Sequence, residues 1–205
     1  MPRRTLSFCP GEAYHLYNRG NNRERIIFER ENYGYFLQLV RRHLLPVVDI
    51  LAYCVMPNHY HLLALVKETS PQTSEVAIQT SDFLEKSEVS VSEAMRRLGI
   101  AYTKAINKRY GRVGVLFQGP FQAKLIPSER LLDLSCYLHH NPVAAGFVKH
   151  AADWPYSSAR DYLGLRVGTL PSPTPVLAQL PPGVGYKAYL RDYATGKQEE
   201  FVDLE

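Results

Sequence analysis

The sequence predicts an α+β sandwich, one central antiparallel sheet with helices packed on it. Three observations carry that reading. Apolar stretches of strand length stand at residues 13–19, 47–56 and 59–66. Between the first two, apolar residues recur at three- and four-residue steps, the period of a helix. A Pro57-Asn58 turn joins the second strand directly to the third. Strand, helix, strand, tight turn, strand is the opening of a ferredoxin-like sandwich.

Each element has its own warrant. Residues 1–12 read as a basic arm, with Arg3 and Arg4, ending in a Pro10-Gly11 turn. Ala13 to Arg19 is the first strand, stopped by Gly20-Asn21-Asn22. The following helix sets Tyr33, Phe36, Leu37, Val40 and Leu44 on one side and ends before Pro46. Val47 to Met56 is the second strand. Residues 68–90 are polar, acidic and weakly patterned, which suits a surface insertion. A helix then starts near Ser92, capped by Ser90 or Ser92, with Ala94, Leu98, Tyr102 and Ile106 on its buried side. Val113–Gln118 and Phe121–Ile126 read as strand pieces divided by Gly119-Pro120, the later one completing the sheet. Ser128 should cap a further helix, which runs to Asn141 and ends or bends at Pro142. Trp154-Pro155-Tyr156-Ser157-Ser158 packs back on the domain. One domain over 1–165 and a proline-rich, then acidic, C-terminal tail over 166–205 result.

Composition narrows the function classes. A net charge of +4 permits a nucleic-acid partner without requiring one. Three cysteines with no paired spacing argue against a disulfide or zinc framework and fit a reducing compartment. No apolar run reaches membrane-spanning length, and the first residues lack the signal-peptide pattern. The expectation is a cytoplasmic protein with no membrane partner.

The distribution of charge says more. From Arg96 to Lys124 stand Arg96, Arg97, Lys104, Lys108, Arg109, Arg112 and Lys124, with no acidic residue between them. Tyr102, Tyr110, Phe117 and Phe121 are interleaved. Cations for phosphates and rings for unstacked bases suit a single-stranded nucleic-acid track; Phe117 and Phe121 would serve equally as core. Arg19, Asn21, Asn22 and Arg23 gather at the first turn, where backbone N–H groups and cations suit phosphate or base contacts. An ordinary solvated hairpin loop has the same composition.

The chemistry centres on His59 and His61. Strand alternation points both imidazoles to one face and sends Tyr60 and Leu62 to the other. Two imidazoles so placed are half of a divalent-metal site. A bare His-x-His also arises as two unrelated polar residues. Tyr137 and Asn141, four apart, share a helix face. If that face lies over the third strand, His59, His61 and the Asn141 amide give three mixed ligands and leave room for a phosphate, as Mg²⁺ or Mn²⁺ chemistry needs. His140 is the weaker alternative ligand, and His139 should point to the side. A tyrosine on a helix is most often a core residue with its hydroxyl at the edge.

Met56-Pro-Asn-His-Tyr-His-Leu-Leu63 resembles the HUH motif of single-tyrosine nucleases, and Tyr137-Leu-His-His-Asn-Pro-Val-Ala-Ala-Gly-Phe-Val148 resembles the tyrosine helix of REP-associated tyrosine transposases. Tyr14–Arg23, the Pro2-Arg3-Arg4 opening, Leu116–Gly119 and Trp154–Ser158 fit that family in the same order. The resemblance covers most of residues 2–162 and excludes the insertion and tail. Pro120 and Ala144 stand where such proteins more often have arginine, which would remove two DNA contacts. The resemblance implies a metal-dependent endonuclease and strand transferase acting on single-stranded hairpin DNA, with Tyr137 as nucleophile, a 5′-phosphotyrosine intermediate and a free 3′-OH. It also favours a monomer with the tyrosine acting in cis, a dimer remaining open. Two other readings stand beside it. One is a non-catalytic hairpin-DNA-binding regulator on the same scaffold. The other is a small-molecule metal phosphohydrolase, against which the acid-free basic segment speaks.

Overall fold

The computed structural model describes residues 7–68 and 90–196. Arg3, Arg4, all but the ends of the 68–90 insertion and the acidic end of the chain lie outside those residues. In chain order the main elements are β1 (Ala13–Arg19), α1 (Arg30–His43), β2 (Val48–Val55), β3 (His59–Val66), α2 (Val91–Tyr110), β4 (Gln122–Ile126) and α3 (Leu131–Ala144). Three short helices follow: α4 (Ala159–Tyr162), α5 (Thr174–Leu177) and α6 (Tyr186–Gly196). The strands form one antiparallel sheet in the order β2-β3-β1-β4, the ferredoxin-like arrangement expected from the sequence.

The two sheet faces carry different layers. On one, α1 and α2 cover Tyr60 and its neighbours: the Phe36 ring lies 4.8 Å from Tyr60 and 5.1 Å from Tyr102. Phe36, Leu62, Leu98 and Tyr102 are fully buried there, each apolar side chain contributing about 1.5–3 kcal/mol. The Tyr102 hydroxyl is satisfied by donating to the Ile26 carbonyl at 2.9 Å. On the opposite face α3 packs against β2 and β3. Local signals start the helices. Glu29 and Asn32 form a reciprocal capping box for α1, and the Ser90 hydroxyl accepts from the Glu93 N–H at the start of α2.

Three expectations need correction. Val113–Gln118 forms no strand: only Phe117 makes an isolated bridge, to Gly20, while Val113 and Val115 face solvent. That stretch instead crosses the end of β1, where Asn21 N–H donates to Leu116 O and Gln118 N–H to Arg19 O. Ser128 does not cap a helix. It opens a 3₁₀ turn (Ser128–Arg130), and α3 starts after it with no side-chain cap. Of the two outcomes expected at Pro142, an end or a bend, the end does not occur, since α3 continues to Ala144. The proline sits in the last turn, so one backbone bond is forfeited, and its ring is buried.

The segment read as a tail is built into the domain. Leu170, Val176, Tyr186, Leu190 and Tyr193 are buried, and α5 and α6 pack on α3. Backbone pairing closes the outer edge of β2: Val55 N–H donates to Tyr156 O, Ser158 N–H to Tyr53 O and Ser172 N–H to Ile50 O. The Trp154 indole N–H donates to Val55 O at 3.0 Å, so the Trp-Pro-Tyr-Ser-Ser stretch docks as expected. No helix among the described residues is long and apolar enough to cross a membrane.

Candidate active site

The site grows from the face of the sheet under α3. His59 and His61 point to it from β3. Directly across on β1 stand Arg19, paired with His59, and Tyr17, paired with His61. One step further along the same face His15 is paired with Leu63. On β4, Gln122 pairs with Tyr17 and Lys124 with His15. Paired residues share a face, so imidazoles, a phenol, an amide and two cations line one surface.

α3 brings the second tyrosine. The Tyr137 ring centroid is 6.0 Å from that of His61, nearly perpendicular to it. His59 and His61 are 4.9 Å apart, centroid to centroid. All three belong to one chain. Asn141 follows one turn later, buried, with its Nδ2 lacking a hydrogen-bond partner. A half-turn of the amide presents its oxygen in the same place. His140 is half-buried, and burial holds its pKa below the usual histidine value. His139 is turned aside into the core. Its Nδ1 meets the Tyr186 hydroxyl at 2.6 Å and its Nε2 the Ser158 hydroxyl at 2.7 Å. Burial, aided by Arg166, pushes its pKa down to about 3.

The ring nitrogens of the two site histidines are held in defined roles. His59 Nδ1 lies 2.7 Å from Asn58 Oδ1, an acceptor, so His59 carries its proton there. Asn58 is oriented by donating from Nδ2 to the Arg23 carbonyl. His61 Nδ1 lies 2.9 Å from His15 Nε2, both rings buried. His61 Nε2 has no hydrogen-bond partner. Burial, and then the nearby His59 and His15, hold the His61 pKa well below its ordinary value. Burial, with Lys124 adding to it, pushes His15 down to about 3. Both are therefore neutral near pH 7, the state in which an imidazole can donate to a metal. Among the described residues there is no group of three or more His, Cys, Asp or Glu side chains that could cage a metal. The donors that β3 brings together are two imidazoles, and Asn141 on α3 is the amide the sequence adds to them. Such a set fits a cation that keeps most of its coordination shell for water or phosphate oxygens.

A cleft of about 620 Å³ opens above these groups. Tyr17, His59, His61 and Gln122 line it, with Arg19, Arg23, Asn58, Gln118 and Pro120. A hollow of about 410 Å³ adjoins it, lined by Arg19, Asn21, Asn22, Arg23 and Gln118. The turn between them is tightly specified. Asn22 and Arg23 both have positive φ (53° and 59°). A Cβ on Gly20 would stand 1.9 Å from the Glu24 carbonyl oxygen. The Arg19 guanidinium donates to the Gln118 amide oxygen, tying β1 to the cleft wall.

Of the DNA-contact candidates singled out in the sequence, Arg19 and Arg23 line this cleft, Asn21 and Asn22 line the adjoining hollow, and Lys124 shares the sheet face. Those on α2 do not, because α2 packs across the sheet. There Arg96 and Arg97 both bind Glu93, which lies just upstream of the acid-free window. Arg109 binds Glu29, and Arg112 lies over the Phe28 ring at 5.4 Å. Lys104 and Lys108 belong to the same helix. Sequence reasoning missed His15, Tyr17, Asn58, Gln118 and Gln122. Alternation in β1 could have put His15, Tyr17 and Arg19 on one face, but not which face.

No family model matches the chain. A solved structure described as a REP-associated tyrosine transposase bound to a REP hairpin superposes with a TM-score of 0.56, covering 84% of this chain and 98% of that one at 16% identity. The chain resembles the REP-associated tyrosine transposases. In sequence, a Haemophilus influenzae protein named "Putative REP-associated tyrosine transposase" is 28% identical over 112 residues, 54% of this chain. The match spans 58% of that relative's length. A bacterial tRNA(His) guanylyltransferase-like protein in complex with GTP superposes more weakly, with a TM-score of 0.43 over 72% of the chain at 7% identity.

Proposed function

We propose that the chain is a metal-dependent single-stranded DNA endonuclease and strand transferase that acts on hairpin DNA through Tyr137. The observation that carries this is the approach of the Tyr137 ring to within 6.0 Å of His61, from a helix more than seventy residues away in sequence. A tyrosine placed only for packing has no need to meet the ring of a neutral histidine that itself lines an open cleft. The likeness to a hairpin-bound transposase in fold and to a transposase-named relative in sequence supports the same reading.

His59 and His61, with Asn141, would hold a divalent ion such as Mg²⁺ or Mn²⁺. When bound, it would supply positive charge at the scissile phosphate. Every other part falls to the chain. Arg19 and Arg23 would bind flanking phosphates, and Asn21 and Asn22 extend that surface. The Tyr137 oxygen would form a bond to phosphorus as the bond from phosphorus to the 3′ oxygen breaks. The phenol proton is released and the 3′ oxygen takes one up. The product is a 5′-phosphotyrosine that keeps the phosphoester bond for rejoining to another 3′-OH.

The test is a labelled hairpin oligonucleotide with Mn²⁺, resolved on a denaturing gel. A covalent adduct that disappears in Tyr137→Phe is the expected result. Retention on a native gel with no cleavage at any Mn²⁺ concentration would replace this reading with a hairpin-binding regulator.

A further inference from the structure

We infer that His15 is a positioning residue for this site: its Nε2 accepts the Nδ1 proton of His61 and so turns the His61 Nε2 lone pair toward the metal position. The inference rests on the reading of His59 and His61 as metal ligands.

Two imidazole nitrogens 2.9 Å apart, His15 Nε2 and His61 Nδ1, share one hydrogen bond, so one donates and the other accepts. If His15 donates, His61 Nδ1 is the acceptor and the His61 proton sits on Nε2, where it blocks metal. If His15 accepts, the proton sits on His61 Nδ1 and Nε2 is a bare donor. Only the second arrangement makes His61 a ligand, and it matches what Asn58 does for His59. Both site histidines then have Nδ1 tied by an acceptor, the outer-shell device that orients metal-binding imidazoles.

His15 is also unlike a packing histidine. His139, in the same protein, has both ring nitrogens engaged by hydroxyl groups. The other nitrogen of His15, Nδ1, is buried with no partner, a state that native proteins rarely keep without a use. Its ring is held nearly parallel to Tyr17 at 4.7 Å, which sets the plane from which Nε2 meets His61. The usual partner for a metal-bound histidine is a carboxylate or a carbonyl. A neutral imidazole does the same orienting work without adding negative charge beneath a site for a DNA phosphate.

The proposal is tested on the full chain without DNA. Long-range proton–nitrogen NMR spectra of the metal-free protein read the His61 tautomer directly, and Mn²⁺ titration followed by electron paramagnetic resonance reads affinity. The expected tautomer carries its proton on Nδ1. His15→Leu, which removes the acceptor at similar volume, is expected to weaken Mn²⁺ binding about 10- to 100-fold. His15→Gln, whose amide oxygen reaches the same place, is expected to restore most of it. A His61 proton on Nε2, or equal Mn²⁺ affinity in wild type and His15→Leu, overturns the role of His15 and leaves the metal site standing. A wild type that takes up no Mn²⁺ overturns the metal reading itself, and this role with it.

Discussion

Acid should unfold this protein early, and His139 supplies a way to measure why. Its folded-state pKa is pushed down to about 3 from an ordinary value near 6.5, and burial is the main cause. The unfolded chain therefore binds a proton that the folded chain refuses. For a depressed histidine this stability is fully present above the unfolded value and is lost as pH falls from there toward the folded one. Between about pH 7.5 and about pH 5, one such histidine costs roughly 2 kcal/mol. His15 behaves alike, so the pair removes about 4 kcal/mol, and His61, also held well below its ordinary value by burial, acts in the same direction. Against a total of about 5–15 kcal/mol for a domain, that is a large share. The measurement is urea unfolding by circular dichroism at several pH values, in chelator and above the carboxylate range. In His139→Gln, which lacks the titrating group, the wild-type loss over this interval should shrink by roughly 2 kcal/mol. The same variant should be less stable than wild type at pH 7.5, because two buried hydroxyl partners lose their match. Identical pH dependence in the two proteins would refute the reasoning.

Other outcomes follow from the same geometry. Tyr186→Phe removes the hydroxyl that meets His139 Nδ1 at 2.6 Å; a loss of about 1–3 kcal/mol is expected, seen as a lower melting temperature at unchanged m-value. His61→Ala should abolish the covalent adduct on a denaturing gel while native-gel retention of the hairpin persists. Arg19→Ala and Arg23→Ala should each weaken hairpin binding and lower its salt dependence by about one phosphate contact, whereas Arg97→Ala, already paired with Glu93, should do neither. In Gly20→Ala, the new Cβ meets the Glu24 carbonyl oxygen; about 1–3 kcal/mol of stability should be lost together with hairpin affinity, read by denaturation and filter binding.

The parts legible in the sequence are those fixed by local period. Alternation placed His59 and His61 on one face and Tyr60 in the core, and the helical step put Tyr137 and Asn141 on a shared side. The ferredoxin-like order followed from four elements and a tight turn. What stayed hidden depends on pairing between distant segments. His15 reaches His61 only because β1 and β3 are neighbours in one register, and no local pattern states a register. Val113 to Gln118 has strand composition but meets only the end of β1, through Arg19, Gly20 and Asn21. The acids that pair the basic run on α2, Glu93 and Glu29, lie outside the Arg96–Lys124 stretch in sequence. The stretch from Leu170 has the proline-rich composition of a tail at its start, yet its large residues, Tyr186 and Leu190 among them, are buried.

The bond between His139 and Tyr186 ties α6 to the helix that bears Tyr137. Domain swapping, in which two molecules trade that helix, would therefore have to carry the chain's final segment across as well or leave a fully enclosed imidazole stranded. The exchangeable unit is α3 together with α4, α5 and α6, not one helix. Two connected copies built that way would each present a neighbour's tyrosine to their own histidines, and cutting the chain between α3 and α5 would free α6 to stay behind.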